Sequence, residues 1–220
     1  MKYQWIFAVL LVVGSSVSAQ TTERTGVNSD EPVVQEMQGT SMLLRDWSEG
    51  VVRFSSGRIT NQFKIKFDCI ANKLLLQFNG NSFSTESKVS TFTLYPNSKD
   101  KSDSMFFKKN FPATDIANEE TFYQVIYANK IMLVKLWAKH IVDEPQIASK
   151  VIYRRLTDEP KVYLFYQQKM ILLPEPFKEF AWNLPFKNDE IMNYATKEKL
   201  KWDKNADYLK LALFIESILQ

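Results

Sequence analysis

The stretch Arg58-Ile59-Thr60-Asn61-Gln62-Phe63-Lys64-Ile65-Lys66-Phe67-Asp68-Cys69 decides the fold class. Its odd positions hold Ile59, Asn61, Phe63, Ile65, Phe67 and Cys69, and its even positions Thr60, Gln62, Lys64, Lys66 and Asp68. Successive strand side chains point to opposite faces, so this alternation sets an apolar face against a charged one. It predicts one half-buried antiparallel strand from Arg58 to Asp68, with Cys69 turned inward at its end.

The neighbouring segments extend that reading into a meander. Val51 to Phe54 is a short strand, and Ser55-Ser56-Gly57 a turn with a glycine available for positive φ. Lys73 to Asn79 places Leu74, Leu76 and Phe78 on one side and stops at Gly80. Lys88 to Tyr95 and Met105 to Phe107 are further strands, separated by the charged loop from Pro96 to Ser104. Phe122–Tyr127 and Ile131–Val142 flank Ala128-Asn129-Lys130 as a hairpin. The second arm sets Met132, Val134, Leu136, Ala138 and Val142 on one face. Ile131, Leu133 and Trp137 share the other with Lys135 and Lys139, which predicts partial cover on both sides. Val151–Leu156 and Val162–Gln167 read as another hairpin around Thr157-Asp158-Glu159-Pro160, and Met170–Leu173 as a last strand before Pro174 and Pro176.

From Phe177 the apolar period becomes helical. Phe177, Phe180 and Ala181 suit a short helix, and Asp189 to about Lys199 a second. The third begins at Asn205 as N-cap and carries Tyr208, Leu211, Ala212, Ile215, Ile218 and Leu219. Strands followed by helices predict an α+β domain: a twisted, mostly antiparallel sheet, with a half-barrel as one form it can take, and C-terminal helices.

The N-terminus reads as an export signal. Lys2 precedes the apolar run Trp5 to Val13, too short for a membrane span, and Val17-Ser18-Ala19 fits signal cleavage between Ala19 and Gln20. Residues 1–19 are therefore expected to be removed, 20–44 to form a flexible polar arm, and 45–220 to form one domain, β-rich over 45–174 and helical over 175–220. Export places the mature chain in the periplasm or outside the cell, with no transmembrane segment after signal removal. One cysteine allows no internal disulfide, so stability must come from burial by a chain that is 45% hydrophobic and 14% aromatic. A formal charge of +3, evenly spread, gives no basis for a nucleic-acid partner.

Each chemical candidate has a structural reading beside it. Cys69 closes an apolar face and reads as a small core residue. His140 is the only histidine, which excludes a two-His metal site within one chain, and its position reads as sheet edge or core. One His and one Cys leave zinc short of its preferred ligands, and no cofactor motif is present. Ser98-Lys99-Asp100-Lys101 matches a bare Ser-x-x-Lys spacing but lies in a polar loop. Glu119-Glu120 and Asp189-Glu190 are paired carboxylates; the second pair is explained by the dipole at a helix start. A glycoside hydrolase would need two acids converging across a cleft. Trp47, Trp137, Trp182 and Trp202 are available to line a ligand groove, although among 16 Phe and 9 Tyr most aromatics must be core.

Several segments together resemble a family. They are Trp47-Ser48-Glu49-Gly50-Val51 with Gly57, Ser90-Thr91-Phe92-Thr93-Leu94, the run Phe122 to Lys135, and the tail with Phe177-Lys178-Glu179-Phe180, Ile191, Tyr194, Lys199 to Lys201 and Asp207. In these the chain resembles a group of Bacteroidota exported proteins without an assigned activity, departing from it at the turn Ala128-Asn129-Lys130, where Asp/Asn-Gly is expected. The resemblance implies export and this architecture, and nothing about catalysis. Asp103-Ser104-Met105 is similar to the O-glycosylation pattern of such proteins, which makes Ser104 a modification candidate.

These readings lead to an exported, non-enzymatic binding or interaction module with an envelope component or an apolar ligand as partner. The alternatives are a periplasmic carrier of lipid, motivated by the Ile131, Leu133, Trp137 face, and a hydrolase using a carboxylate pair.

Overall fold

A computed structural model of the chain describes residues 33–34, 37–85, 88–145, 151–173, 188–201 and 204–219. It is an α+β structure of mostly antiparallel sheets with two C-terminal helices. In chain order the strands are β1 (Val33–Val34), β2 (Glu49–Phe54), β3 (Ile59–Thr60), β4 (Lys64–Asp68), β5 (Lys73–Phe78), β6 (Asn81–Thr85), β7 (Val89–Tyr95), β8 (Met105–Lys108), β9 (Tyr123–Ala128), β10 (Met132–Leu136), β11 (Lys139–Pro145), β12 (Val151–Asp158), β13 (Lys161–Tyr166) and β14 (Lys169–Leu173). Helices α1 (Asn188–Lys197) and α2 (Asn205–Ile218) follow. The signal region, its Ala19–Gln20 cleavage point, the segment around Phe177, and Trp182 and Trp202 lie outside the described residues.

Among the described residues the largest sheet is an open one in the order β14-β13-β10-β9-β8-β7-β2-β3. A three-stranded sheet, β4-β5-β6, faces one end of it. Ile65 and Phe67 from β4 and Leu74 and Leu76 from β5 meet Val52, Val89, Phe92, Leu94 and Phe107 from the large sheet in one buried cluster. At the other end α1 and α2 cover Ile131, Leu133, Val162, Leu164 and Leu173. On the opposite face of β10, Val134 and Leu136 are buried with Phe111, Tyr123 and Tyr163. The predicted cover on both sides of this strand is present, which suits a central strand buried on both faces.

The long strand predicted over Arg58–Asp68 is two strands. β3 pairs with β2, through Val52↔Thr60 and Arg53↔Ile59, and β4 pairs with β5 in the other sheet. The chain crosses between sheets at Asn61-Gln62-Phe63. The crossing inverts the phase at one end: Ile59 is 53% exposed and Thr60 buried, the reverse of the alternation. Pairing with β2, not the local pattern, sets which side of β3 faces in.

The second predicted hairpin also differs. β12 and β13 do not pair with each other; β12 pairs with β11 and β13 with β10. Leu136↔Lys161 and Lys139↔Asp158 share one register, and Glu159 N–H donates to the Ala138 carbonyl at 2.9 Å in the gap between them. The two pairs are thus one long antiparallel ribbon, whose β10–β13 half is buried and whose β11–β12 half is largely exposed. Cross-strand ion pairs Asp143–Arg154 at 3.1 Å and Glu144–Arg155 at 3.0 Å line that outer half.

Backbone pairing begins upstream of Trp47, where composition places the first structure. Gln38 N–H donates to the Arg154 carbonyl and its own carbonyl accepts from Leu156, Cys69 N–H donates to Ser41, Leu43 N–H donates to Phe67, and Ser48 and Ile65 bond reciprocally. Residues 38–48 therefore tie the ribbon to the exposed edge of β4.

Helix α2 docks through a buried carboxylate as well as through its apolar stripe. Glu216 accepts from the Tyr127 hydroxyl, from Asn129 Nδ2 at 3.2 Å and from the Lys130 N–H at 2.9 Å. It thereby satisfies the Asn129 side-chain amide and the Lys130 N–H, while the Asn129 N–H donates to the Ile131 carbonyl at 2.8 Å. The Tyr127 hydroxyl, followed by the two other donors and the Lys130 charge, holds the Glu216 carboxyl below its ordinary value of 4.5. A depressed carboxylate contributes stability above its unfolded value that is lost as pH falls through the folded one. Urea midpoints followed from about pH 6 down to about pH 3 should therefore show Glu216→Gln less stable than the native chain at the upper end, with the gap closing below pH 4.5. A gap independent of pH would refute the carboxylate's role.

Candidate functional site

The face of β10 that carries Ile131 and Leu133 continues to Lys135, and the apolar cover of the helices runs out there. Lys135 is only 5% exposed, yet its ammonium is well provided for. Nζ donates to Asn205 Oδ1 at 3.0 Å and lies 5.0 Å from the centre of the Tyr208 ring and 5.1 Å from that of Trp137. A buried charge is tolerated only when paired or faced by such electron-rich groups. Asn205 opens α2 but does not cap it; the N-cap position is Lys204, without a side-chain cap bond. The predicted capping role of Asn205 is replaced by a bond to a strand 70 residues away.

Trp137 follows the end of β10 and is half-buried. Its Nε1–H donates to Gln124 Oε1 at 2.9 Å, and Gln124 is itself buried on β9 opposite Lys135. Both the indole and the ammonium are held by partners behind them, which fixes their orientation before any ligand arrives.

The third wall comes from the loop between β7 and β8. Asp100 Oδ1 accepts from Ser102 N–H at 2.9 Å and caps a single 3-10 turn over Lys101–Asp103. The Ser102 N–H holds the Asp100 carboxyl below its ordinary range. The turn places Ser102, Asp103 and Ser104 on the rim of a groove of about 570 Å³ that has Lys135 and Trp137 on its other side, with Pro96 and Met105 as apolar edges. The groove thus brings together one indole, one carboxylate, one ammonium, one amide and two hydroxyls.

A second cleft lies between β5 and the loop before β9. Lys109, buried, pairs with the exposed Glu120 at 2.5 Å and lies 5.7 Å from the Phe122 ring centre. Asn72, in the left-handed region at φ 51°, donates to the Glu120 carbonyl at 2.9 Å and accepts from Phe122 N–H at 3.0 Å, bridging the sheet to the loop. Cys69 borders a further groove of about 420 Å³ with Leu136 and Lys139. Burial pushes its thiol up to about 12 despite the Lys139 charge, which disfavours the nucleophilic thiolate.

The remaining candidates fall apart spatially or sit on the surface. His140 lies exposed on β11, its Nδ1 3.2 Å from Glu159. Ser98 and Lys99 are exposed in the loop, and Ser104 is exposed where the 3-10 turn meets β8. Asp189 and Glu190 occupy the first turn of α1, as the dipole argument predicts. Among the described residues Glu120 is the one carboxylate lining the Lys109 cleft and Asp103 the one lining the Trp137 groove, so neither assembles from them the convergent pair a glycosidase needs. Trp47 is half-buried beneath Lys66, whose Nζ lies 5.4 Å from the ring centre. Lys135, Gln124 and Asn205 were not singled out by the sequence as site residues; the available signal was a lysine interrupting an apolar strand stripe. Among the described residues no cluster of three His, Cys, Asp or Glu side chains is placed to hold a metal, and no helix is long and apolar enough to cross a membrane. No protein-family model, curated protein or solved structure matches the chain.

Proposed function

We propose that the chain is an exported binding module that holds a ligand in the Trp137–Lys135 groove without transforming it. The observation that carries this reading is the double locking of the groove: Gln124 fixes the indole and Asn205 fixes the ammonium. Binding sites combine concavity, an apolar or aromatic surface and a few positioned polar groups, and this groove has all three. The signal-like residues 1–19 support export, with cleavage between Ala19 and Gln20, and the resemblance to exported Bacteroidota proteins supports the same compartment.

The lipid-carrier alternative drew on Ile131, Leu133 and Trp137. Ile131 and Leu133 are packed beneath α1 and α2, which leaves Trp137 alone of the three on a groove. The carboxylate-pair hydrolase has one acid in each groove described above. Incubation of the mature chain with envelope extract, followed by native mass spectrometry, should show a bound small molecule that is released chemically unchanged and is lost in Trp137→Ala. Turnover by the purified protein on a panel of glycans, esters or peptides would overturn the reading.

A further inference from the structure

The geometry points to a short neutral saccharide as the occupant of the Trp137–Lys135 groove, an assignment that rests on the binding reading above. Three features of the groove converge on it. An indole with its Nε1–H already committed to Gln124 offers a ligand only apolar ring surface, which suits the C–H side of a pyranose. The polar groups around that ring are mixed in character. Asp103 only accepts hydrogen bonds, Ser102 and Ser104 both donate and accept, and Asn205, whose Oδ1 accepts from Lys135, adds an amide to the lining. A polyhydroxylated ligand is the chemical class that uses donors and acceptors in alternation around one apolar patch.

Charge supplies the third feature. Among the described residues the groove is lined by one carboxylate, Asp103, and one ammonium, Lys135, whose neighbours include two rings and an amide. Each of these charges attracts an ion that the other repels, so together they give the groove no net preference for a charged ligand, and a neutral one needs none. Its volume of about 570 Å³ lies within the range of small-molecule sites, about 300–1,000 Å³. Pro96 and Met105 add apolar surface to the lining, which the ring carbons of a second sugar unit would cover.

The test uses the mature chain with defined probes: cellotriose, mannotriose and chitotriose as neutral ligands, trigalacturonate as an acidic one, and a neutral hexapeptide as a non-sugar control. Saturation-transfer NMR and calorimetric titration should show at least one neutral trisaccharide binding, with affinity falling tenfold or more in Trp137→Ala. Asp103→Ala lies on an exposed turn that does not support the core, so it keeps the test valid if Trp137→Ala fails to fold, and it should weaken the same probe several-fold. No transfer to any neutral sugar, an undiminished affinity in Asp103→Ala, or tighter binding of trigalacturonate would overturn the saccharide assignment. Binding of the peptide alone, lost in Trp137→Ala, would overturn it while leaving the binding reading in place. Cleavage of a bound trisaccharide would overturn the binding-only reading and leave the ligand class standing.

Discussion

Replacing Phe92 by alanine should lower the unfolding free energy by about 3–5 kcal/mol, the range for a fully buried phenylalanine whose surroundings cannot collapse. Phe92 is 1% exposed and sits where both sheets of the N-terminal half meet. Its ring stacks on Phe107 from β8 at 4.6 Å and meets Phe67 from β4 at 5.3 Å and Phe122 at 5.0 Å. Each neighbour belongs to a different segment, and each is fixed by its own ladder or loop, so no single side chain can swing into the space left behind. Phe92→Leu keeps most of the volume and should cost clearly less. Urea unfolding followed by far-UV circular dichroism checks both. Equal losses for the two variants would mean that ring packing is not what holds the sheets together. Met105 and Trp137, which line the groove, pack against this same cluster, so the groove shares its support with the rings around Phe92.

The same cluster shows what was legible in the sequence. Ile65 and Phe67 flank Lys66, Phe92 and Leu94 flank Thr93, and Leu74 and Leu76 sit between Lys73 and Gln77 with only Leu75 breaking the polar side; each pair does face the shared core. Local pattern was enough there because one side of each strand is wet and the other dry. It failed where a partner distant in sequence decides. The alternation from Ile59 to Phe67 is interrupted only by the polar Asn61, yet the chain changes sheets at Asn61–Phe63, and only pairing with β2 turns Ile59 outward. β6 was invisible because Asn-Ser-Phe-Ser-Thr is an exposed edge with a single apolar residue and no dry side to impose a pattern. The ribbon was misread for the opposite reason. Thr157-Asp158-Glu159-Pro160 carries good turn chemistry, but β12 and β13 are collinear halves of one arm, because their partners β11 and β10 are collinear too. The groove was partly legible. Trp137 and Lys135 were visible on the helix-facing side of β10, whereas the role of Asn205 was hidden behind a helix-capping signal that its bond to Lys135 displaces.

Gly50 marks the second site where a small change should have a large effect. It pairs with Leu94 in the β2–β7 ladder and is buried. Its backbone needs no special dihedral; what it needs is the absence of a side chain. A Cβ there would press into the Thr93 carbonyl oxygen and approach Ile65 Cδ1 at 2.8 Å, inside normal contact. Ile65 arrives from the other sheet, held beside β2 by the reciprocal Ser48–Ile65 backbone bonds at 3.0 and 2.7 Å. The approach of Ile65 to β2 is therefore built on a missing methyl group. Gly50→Ala should destabilise by about 3 kcal/mol or more, the upper end of overpacking costs, because one obstacle is backbone and cannot change rotamer. A double-mutant cycle separates the two obstacles. Ile65→Val removes Cδ1 and should recover less than half of the loss in the Gly50→Ala background, since the Thr93 carbonyl stays in place. Full recovery would show that the side-chain contact alone sets the spacing of the sheets, and that β2 and β7 have room to part.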